Sequence, residues 1–236
     1  MGSSLTLHND RKPITPEIRA LSSQMVVEGA PVRRIPFRPS YRGGRLRFAV
    51  SCSSNMNRSM EAHQQLLKRG FMVESYGSGT AVKLPGPAPD RPNVYDFDQK
   101  TYAQIQQELY TANRSLYTKN GLLAMLERNK KIKERPQKFQ KVDEEFDVVV
   151  CLEERVYDQI VDFFHKRPST SGALVHVINV DIKDTHEEAV PGALVVCHLC
   201  EKLQNAKDLD HDIDDILVDL DAEQSERNFL HSIHFY

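Results

Sequence analysis

Residues 146–152 read FDVVVCL. A strand with one wet face alternates apolar and polar residues, so an unbroken apolar run needs cover on both faces. RLRFAVS at 45–51 and LVHVINVD at 174–181 have the same character. Strands of this kind belong to parallel sheets, and parallel neighbours need a crossover between them, usually a helix. The intervening segments supply those helices. Ser59–Arg69 places Ala62, Leu66 and Leu67 on one face and ends at Gly70. VYDQIVDFFHK and EEAVPGALVVCHLCEKLQ read as helices, and DIDDILVDL brings Ile213, Ile216, Leu217 and Leu220 together. FMVESYG adds a strand, and FLHSIHFY reads as a last edge strand. Two further helices, near Thr101–Tyr110 and Gly121–Arg128, form a helical insertion at about 100–140. The expected fold class is α/β, with a mostly parallel central sheet flanked by helices.

The regular pattern begins at Arg45 and runs to residue 236. Residues 1–44 carry scattered prolines, glycines and arginines, as in RRIPFRPSYRGGR, with no sustained period. They read as a disordered basic extension; a transit peptide and a docking arm for an acidic partner are the other readings. With 31 basic and 33 acidic residues, the chain lacks the basic bias of a general nucleic-acid binder, so no direct nucleic-acid contact is expected. No run of some 18 apolar residues is present, so no membrane span is expected. Four cysteines (Cys52, Cys151, Cys197 and Cys200) in 236 residues do not make a disulfide framework. An intracellular, reducing compartment is expected, with a thiol left free.

In open α/β sheets, ligands bind beyond the C-terminal ends of the strands. Cys52 stands at that end of the first strand, and SCSSNMNRSM leads from it into a helix. The first amides of a helix lack intrahelical partners, and its dipole favours an anion there. Arg58 adds a planar fork suited to two phosphate oxygens. Asn55 and Asn57 tolerate left-handed backbone. The loop Ser53, Ser54, Asn55, Met56, Asn57, Arg58 can therefore wrap one tetrahedral anion above Cys52. A thiol beside a helix N-terminus and a cation has its pKa, ordinarily near 8.5, lowered to between about 3.5 and 7.5. Ser59 can donate a hydrogen bond to the sulfur. A general acid should come from another loop at the same sheet edge. The strand HVINV runs directly into Asp181 and Asp184. The residues alone do not choose between them, and either can cap the following helix. His186 reads as a loop histidine rather than a base.

CSSNMNRSMEAH resembles the RNA polymerase II C-terminal-domain phosphatase family, of the low-molecular-weight tyrosine phosphatase fold. VKLPGPAPDRPNVYDF, LYTKNGLLAMLERNKKIK, LEERVYDQ and HVINVDIKDTHEEA extend the resemblance over residues 45–236. It implies hydrolysis of phosphoserine at the fifth heptad position, with the Ser–Pro bond cis, by way of a phosphocysteine and without metal or cofactor. It puts the acid on Asp184, with Asp181 in support, and the peptide against Lys83, Leu84, Pro85, Tyr117 and Met125. It also implies a symplekin-type scaffold, the cleavage and polyadenylation complex, functional coupling to a prolyl isomerase, and a nuclear role in transcription termination and mRNA 3′-end processing. The chain lacks the Asp–Pro pair of the tyrosine-specific relatives. Ser51 replaces the more usual hydrophobic residue before the nucleophile.

Other features have blander readings. LPGPAPDRP reads either as a surface loop or as a wall of the substrate groove. NKKIKERPQKFQK at 129–141 reads as a solvated basic face able to attract a phosphorylated tail. His231 and His234 read as surface histidines. Cys197 and Cys200 read as core; an arsenate reductase would instead use one of them as a resolving thiol against Cys52. A phosphopeptide reader without turnover is the remaining alternative.

Overall fold

The computed structural model describes residues 44–224 and 227–236; the extension expected over 1–44 lies outside them but for its last residue. The three apolar runs form the centre of a five-stranded sheet. Its strands are β1 (Arg47–Cys52), β2 (Met72–Gly77), β5 (Val148–Cys151), β6 (Leu174–Val180) and β7 (Phe229–Phe235), in the order β2-β1-β5-β6-β7. All neighbours are parallel except β6 and β7, so the terminal edge strand is antiparallel. The remaining strands, β3 (Val82–Ala88) and β4 (Arg91–Tyr95), pair only with each other.

The pleat sends alternate residues of β1 to opposite faces. Phe48, Val50 and Cys52 face three helices, α1 (Arg58–Lys68), α5 (His186–Gln204) and α6 (Leu209–Glu223). Ala49 faces α4 (Glu154–Lys166), whose Val156, Ile160 and Phe164 cover the other side with Phe139 and Tyr236. Gly70 ends α1 with a φ of 80°, the left-handed conformation that terminates helices. Ile213, Leu217 and Leu220 of α6 are buried, with Ile216 packed against them. Leu67 departs from its expected place: it is 45% exposed, and α1 meets this side of the sheet through Ala62 and Leu66.

The insertion comprises α2 (Tyr102–Lys119), α3 (Leu122–Asn129) and a 3-10 turn at Phe139–Lys141. Thr101 and Gln104 form a capping box at the start of α2. That helix runs past the expected Tyr110, with a kink at Asn113. LPGPAPDRP is not a plain loop but the β3–β4 hairpin, whose register shifts between Leu84 and Ala88. Such an irregular, otherwise unpaired strand accommodates proline, which cannot donate to a ladder. The hairpin, α2 and α3 share a third core in which Val82, Leu84, Tyr102, Ile105, Leu122 and Met125 surround Met56 and Met60. The insertion is thereby packed onto the loop that follows Cys52.

Candidate active site

Cys52 is the last residue of β1 and is 3% exposed. Its Sγ lies 3.1 Å from Ser59 Oγ. Asn55 Nδ2, which can only donate, lies 3.1 Å from the same hydroxyl. Ser59 accepts from Asn55 and is left to donate its own hydrogen to the sulfur. Asn55 holds the loop's turn with a φ of 53°, as expected; Asn57 does not, having a φ of −104°. Asn57 instead precedes α1 and donates from Nδ2 to Asp184 Oδ1 (3.1 Å) and Thr185 O (3.2 Å). Ser54 Oγ accepts from the Lys83 amide at 3.1 Å, and Ser53 Oγ accepts from Arg155 at 3.2 Å.

Arg58 opens α1 and is 2% exposed. Its Nη1 donates to Ile182 O (2.7 Å) and Leu152 O (3.0 Å), and its Nη2 to Glu153 Oε2 (2.6 Å). Its Nε lies 3.3 Å from Asp184 Oδ1, an ion-pair distance off the N–H direction, so the Nε hydrogen has no acceptor. Burial opposes the guanidinium charge, but the charges of Cys52, Asp184 and Glu153 outweigh it and hold the Arg58 pKa above its ordinary value. Glu153 went unnoticed in the sequence: nothing in its spacing shows that the loop after β5 meets the loop after β1.

Thr185 caps α5, its side chain accepting from Glu188 N. Neither aspartate does so, and Asp184 is turned to Asn57 and Arg58. A cavity of about 200 Å³ is lined by Cys52, Ser54, Met56, Asn57, Asp184 and His186 on one side. Lys83, Leu84, Pro85, Asn120, Gly121, Leu122 and Met125 complete it. The structure thus brings Cys52, Asp184, Lys83, Leu84, Pro85 and Met125 to one place. Arg58 and Ser59 are buried and do not line the cavity. His186 is no loop residue: it begins α5 and lines the cavity. Tyr117 is 2% exposed and stands behind the hairpin, its hydroxyl accepting from Asn93 Nδ2, which also donates to Pro85 O. Asp181 is outside the cavity, and its backbone is bonded to Asn228 and Arg227.

Other candidates lie elsewhere. Cys197 and Cys200 are buried in α5. Burial pushes Cys197 up to about 11 and Cys200 well above its ordinary value, which is poor chemistry for a resolving thiol. His231 is not a free surface histidine, since its Nε2 lies 3.0 Å from Nδ1 of the buried His176. His234 is also buried and stacks on Phe164. The basic run is largely occupied: Lys130 and Lys131 pair with Glu127, Lys141 with Asp98, and Lys133 reaches Ser75 O.

Known proteins share this architecture. The chain is 57% identical over 192 residues to the RNA polymerase II C-terminal domain phosphatase ssup-72 of Caenorhabditis elegans, covering 81% of this chain and 98% of that one. It is 53% identical over 191 residues to the human phosphatase SSU72, covering 81% and 97%. A solved Drosophila melanogaster structure holds Ssu72 with Symplekin and a cis peptidomimetic of the C-terminal domain bearing phosphoserine at the fifth position. It superimposes with a TM-score of 0.78 at 46% identity, covering 81% of this chain and 99% of that one. The family model described as Ssu72-like protein matches residues 46–236, and the chain belongs to that family.

Proposed function

We propose that this chain is a metal-independent cysteine phosphatase that hydrolyses phosphoserine in the RNA polymerase II C-terminal domain. The observation that carries the reading is the single cavity in which Cys52 and Asp184 meet above Arg58, walled by Lys83, Leu84, Pro85 and Met125. In the first step the Cys52 thiolate attacks phosphorus and the P–O bond to serine breaks. Asp184 gives its proton to the departing serine oxygen, a contribution of about 10²- to 10⁴-fold for so basic a leaving group. In the second step water attacks phosphorus, Asp184 takes the water's proton, and the S–P bond breaks to return the thiolate. Ser59 lowers the cost of that departure through its hydrogen bond to Sγ. Arg58 and the loop amides carry the equatorial oxygens throughout.

The hairpin and α3 fit a peptide substrate. Leu84, Pro85, Leu122 and Met125 make an apolar wall beside the phosphate loop, suited to a proline after the phosphoserine. Tyr117 acts through Asn93, which holds the Pro85 carbonyl. The preferred substrate is phosphoserine at the fifth heptad position with a cis Ser–Pro bond, the form mimicked by the peptide in the Drosophila melanogaster relative's structure. That form is a minority of about 10–30% in unfolded peptides and exchanges slowly, which couples turnover to a prolyl isomerase. By the same kinship, the chain works in the nucleus with a symplekin-type scaffold and the cleavage and polyadenylation complex, in transcription termination and mRNA 3′-end processing.

The test is phosphate release from a fifth-position phosphoserine peptide in EDTA, by wild type and Cys52→Ser side by side. Release by the wild type alone is expected. Equal release by both, or loss of wild-type activity in EDTA, would overturn the mechanism; binding without release by the wild type would make the chain a reader.

A further inference from the structure

Two peptide planes of the phosphate loop are held from outside by the insertion. Met56 O accepts from Asn129 Nδ2 at 2.8 Å and from Arg128 Nη2 at 3.0 Å. Asn57 O accepts from the same Arg128 nitrogen at 3.2 Å, beside the Glu61 amide at 3.0 Å. Arg128 is fixed in turn: Nη1 meets Glu61 Oε2 at 2.6 Å, and Nε donates to Asn129 Oδ1 at 3.0 Å. Asn129 is fully buried and the Arg128 side chain is 13% exposed. One planar fork thus ties the end of α3 to α1 and to two successive carbonyls between them. A lysine ammonium, a point charge on a flexible stem, cannot hold that geometry.

The peptide bonds here are trans. In a trans plane, the carbonyl of one residue and the N–H of the next point in opposite directions. Turning the Met56 and Asn57 carbonyls toward α3 therefore turns the Asn57 and Arg58 amides the other way, into the curve of the loop. Donors that stabilise a developing oxyanion work because they are aimed before the reaction begins. We infer that Arg128, with Asn129, is a positioning pair that aims the Asn57 and Arg58 amides at the equatorial oxygens of a phosphoryl group on Cys52. The inference rests on the phosphatase reading and deepens it. Because α3 also carries Leu122 and Met125 in the cavity wall, one helix presents the peptide surface and sets the loop.

A purely structural role for Arg128, balancing Glu61 and packing α3, would change stability and leave oxyanion affinity alone. The full chain is compared as wild type, Arg128→Lys and Glu61→Gln, the last keeping the guanidinium while loosening its anchor. Measured are kcat and KM on the phosphopeptide, orthovanadate affinity by calorimetry, and the urea midpoint. For Arg128→Lys, kcat should fall about 10- to 100-fold, somewhat less than the loss of an oxyanion donor outright. Vanadate binding should weaken by a similar factor, with peptide KM within about threefold. Glu61→Gln should move both quantities the same way by less, and it carries the test if Arg128→Lys does not fold. A folded variant with kcat and vanadate affinity within about twofold of wild type would overturn the inference, as would a fall in kcat with vanadate binding unchanged. Vanadate binding needs no turnover. A wild type that binds vanadate but releases no phosphate therefore sinks the phosphatase reading, while the variants still decide the aim of the amides.

Discussion

Asn55 joins more of the site than any other loop residue, and its replacement should be costly in a calculable way. Its side chain is fully buried. Nδ2 donates to Ser59 Oγ at 3.1 Å and Ser75 Oγ at 3.2 Å, and Oδ1 accepts from the Gln137 amide at 3.1 Å. Its backbone sits at a φ of 53°, where asparagine is tolerated and alanine costs about 1 kcal/mol or more. In Asn55→Ala the two hydroxyls keep other partners, Ser59 at Cys52 and Ser75 at His63, so each lost bond costs about 1 kcal/mol. The Gln137 amide is left unsatisfied, at about 1–3 kcal/mol. The sum is about 4–6 kcal/mol, comparable with the whole stability of a marginal domain. Asn55→Gly loses the same bonds without the backbone strain and should fall about 1 kcal/mol less. Urea unfolding of the three proteins, with phosphate release assayed where each is folded, gives both numbers. An alanine variant within about 1 kcal/mol of wild type, or more stable than the glycine variant, would refute the reasoning.

Replacing Cys197 and Cys200 together by alanine should leave phosphate release within about twofold of wild type, since both thiols serve only as core; a loss in a folded variant would revive the resolving-thiol reading. In Gly86→Ala the new Cβ would stand 1.7 Å from Arg91 O, which is backbone and cannot yield. The hairpin should then distort, raising KM for the phosphopeptide about tenfold or more while turnover of a small aryl phosphate stays within about threefold, because the larger loss corresponds to about 1.4 kcal/mol of wall contact. His63 is buried against Ser75, and burial, helped by the charge of Lys133, lowers its pKa to about 4. Protonation therefore favours the unfolded chain. The stability contributed by neutral His63, on the order of 3 kcal/mol, is complete above about pH 6.5 and is lost as pH falls toward about 4. Urea midpoints across that range should slope less in His63→Gln than in wild type.

The parallel sheet was legible because Phe146–Leu152 and its sister runs admit no half-exposed strand, and Cys52 followed from the end of the first. The hairpin was not, since Pro85, Pro87 and Pro89 look like loop until an unpaired edge and a register shift make room for them. The extension of α2 to Lys119 was missed because TANRS has no apolar period to carry a helix through its kink. Leu67 was misplaced because helical spacing names a stripe but not its width. Glu153, Tyr102, Arg128 and Asn129 touch the loop across long stretches of sequence, the last two more than 70 residues away. No local spacing encodes such contacts. Asp184 separates from Asp181 only once Thr185 is seen to cap α5 and the loop turns one carboxylate inward.

The phosphocysteine is the most direct test. Peptide carrying radiolabelled phosphate on the fifth-position serine is mixed with excess protein, quenched within one turnover, digested and mapped. Label on the fragment containing Cys52, appearing before free phosphate and absent from Cys52→Ser, is the expected result. Label that passes to water without ever residing on the protein, or that is found on His186 instead, would contradict the role assigned to Cys52.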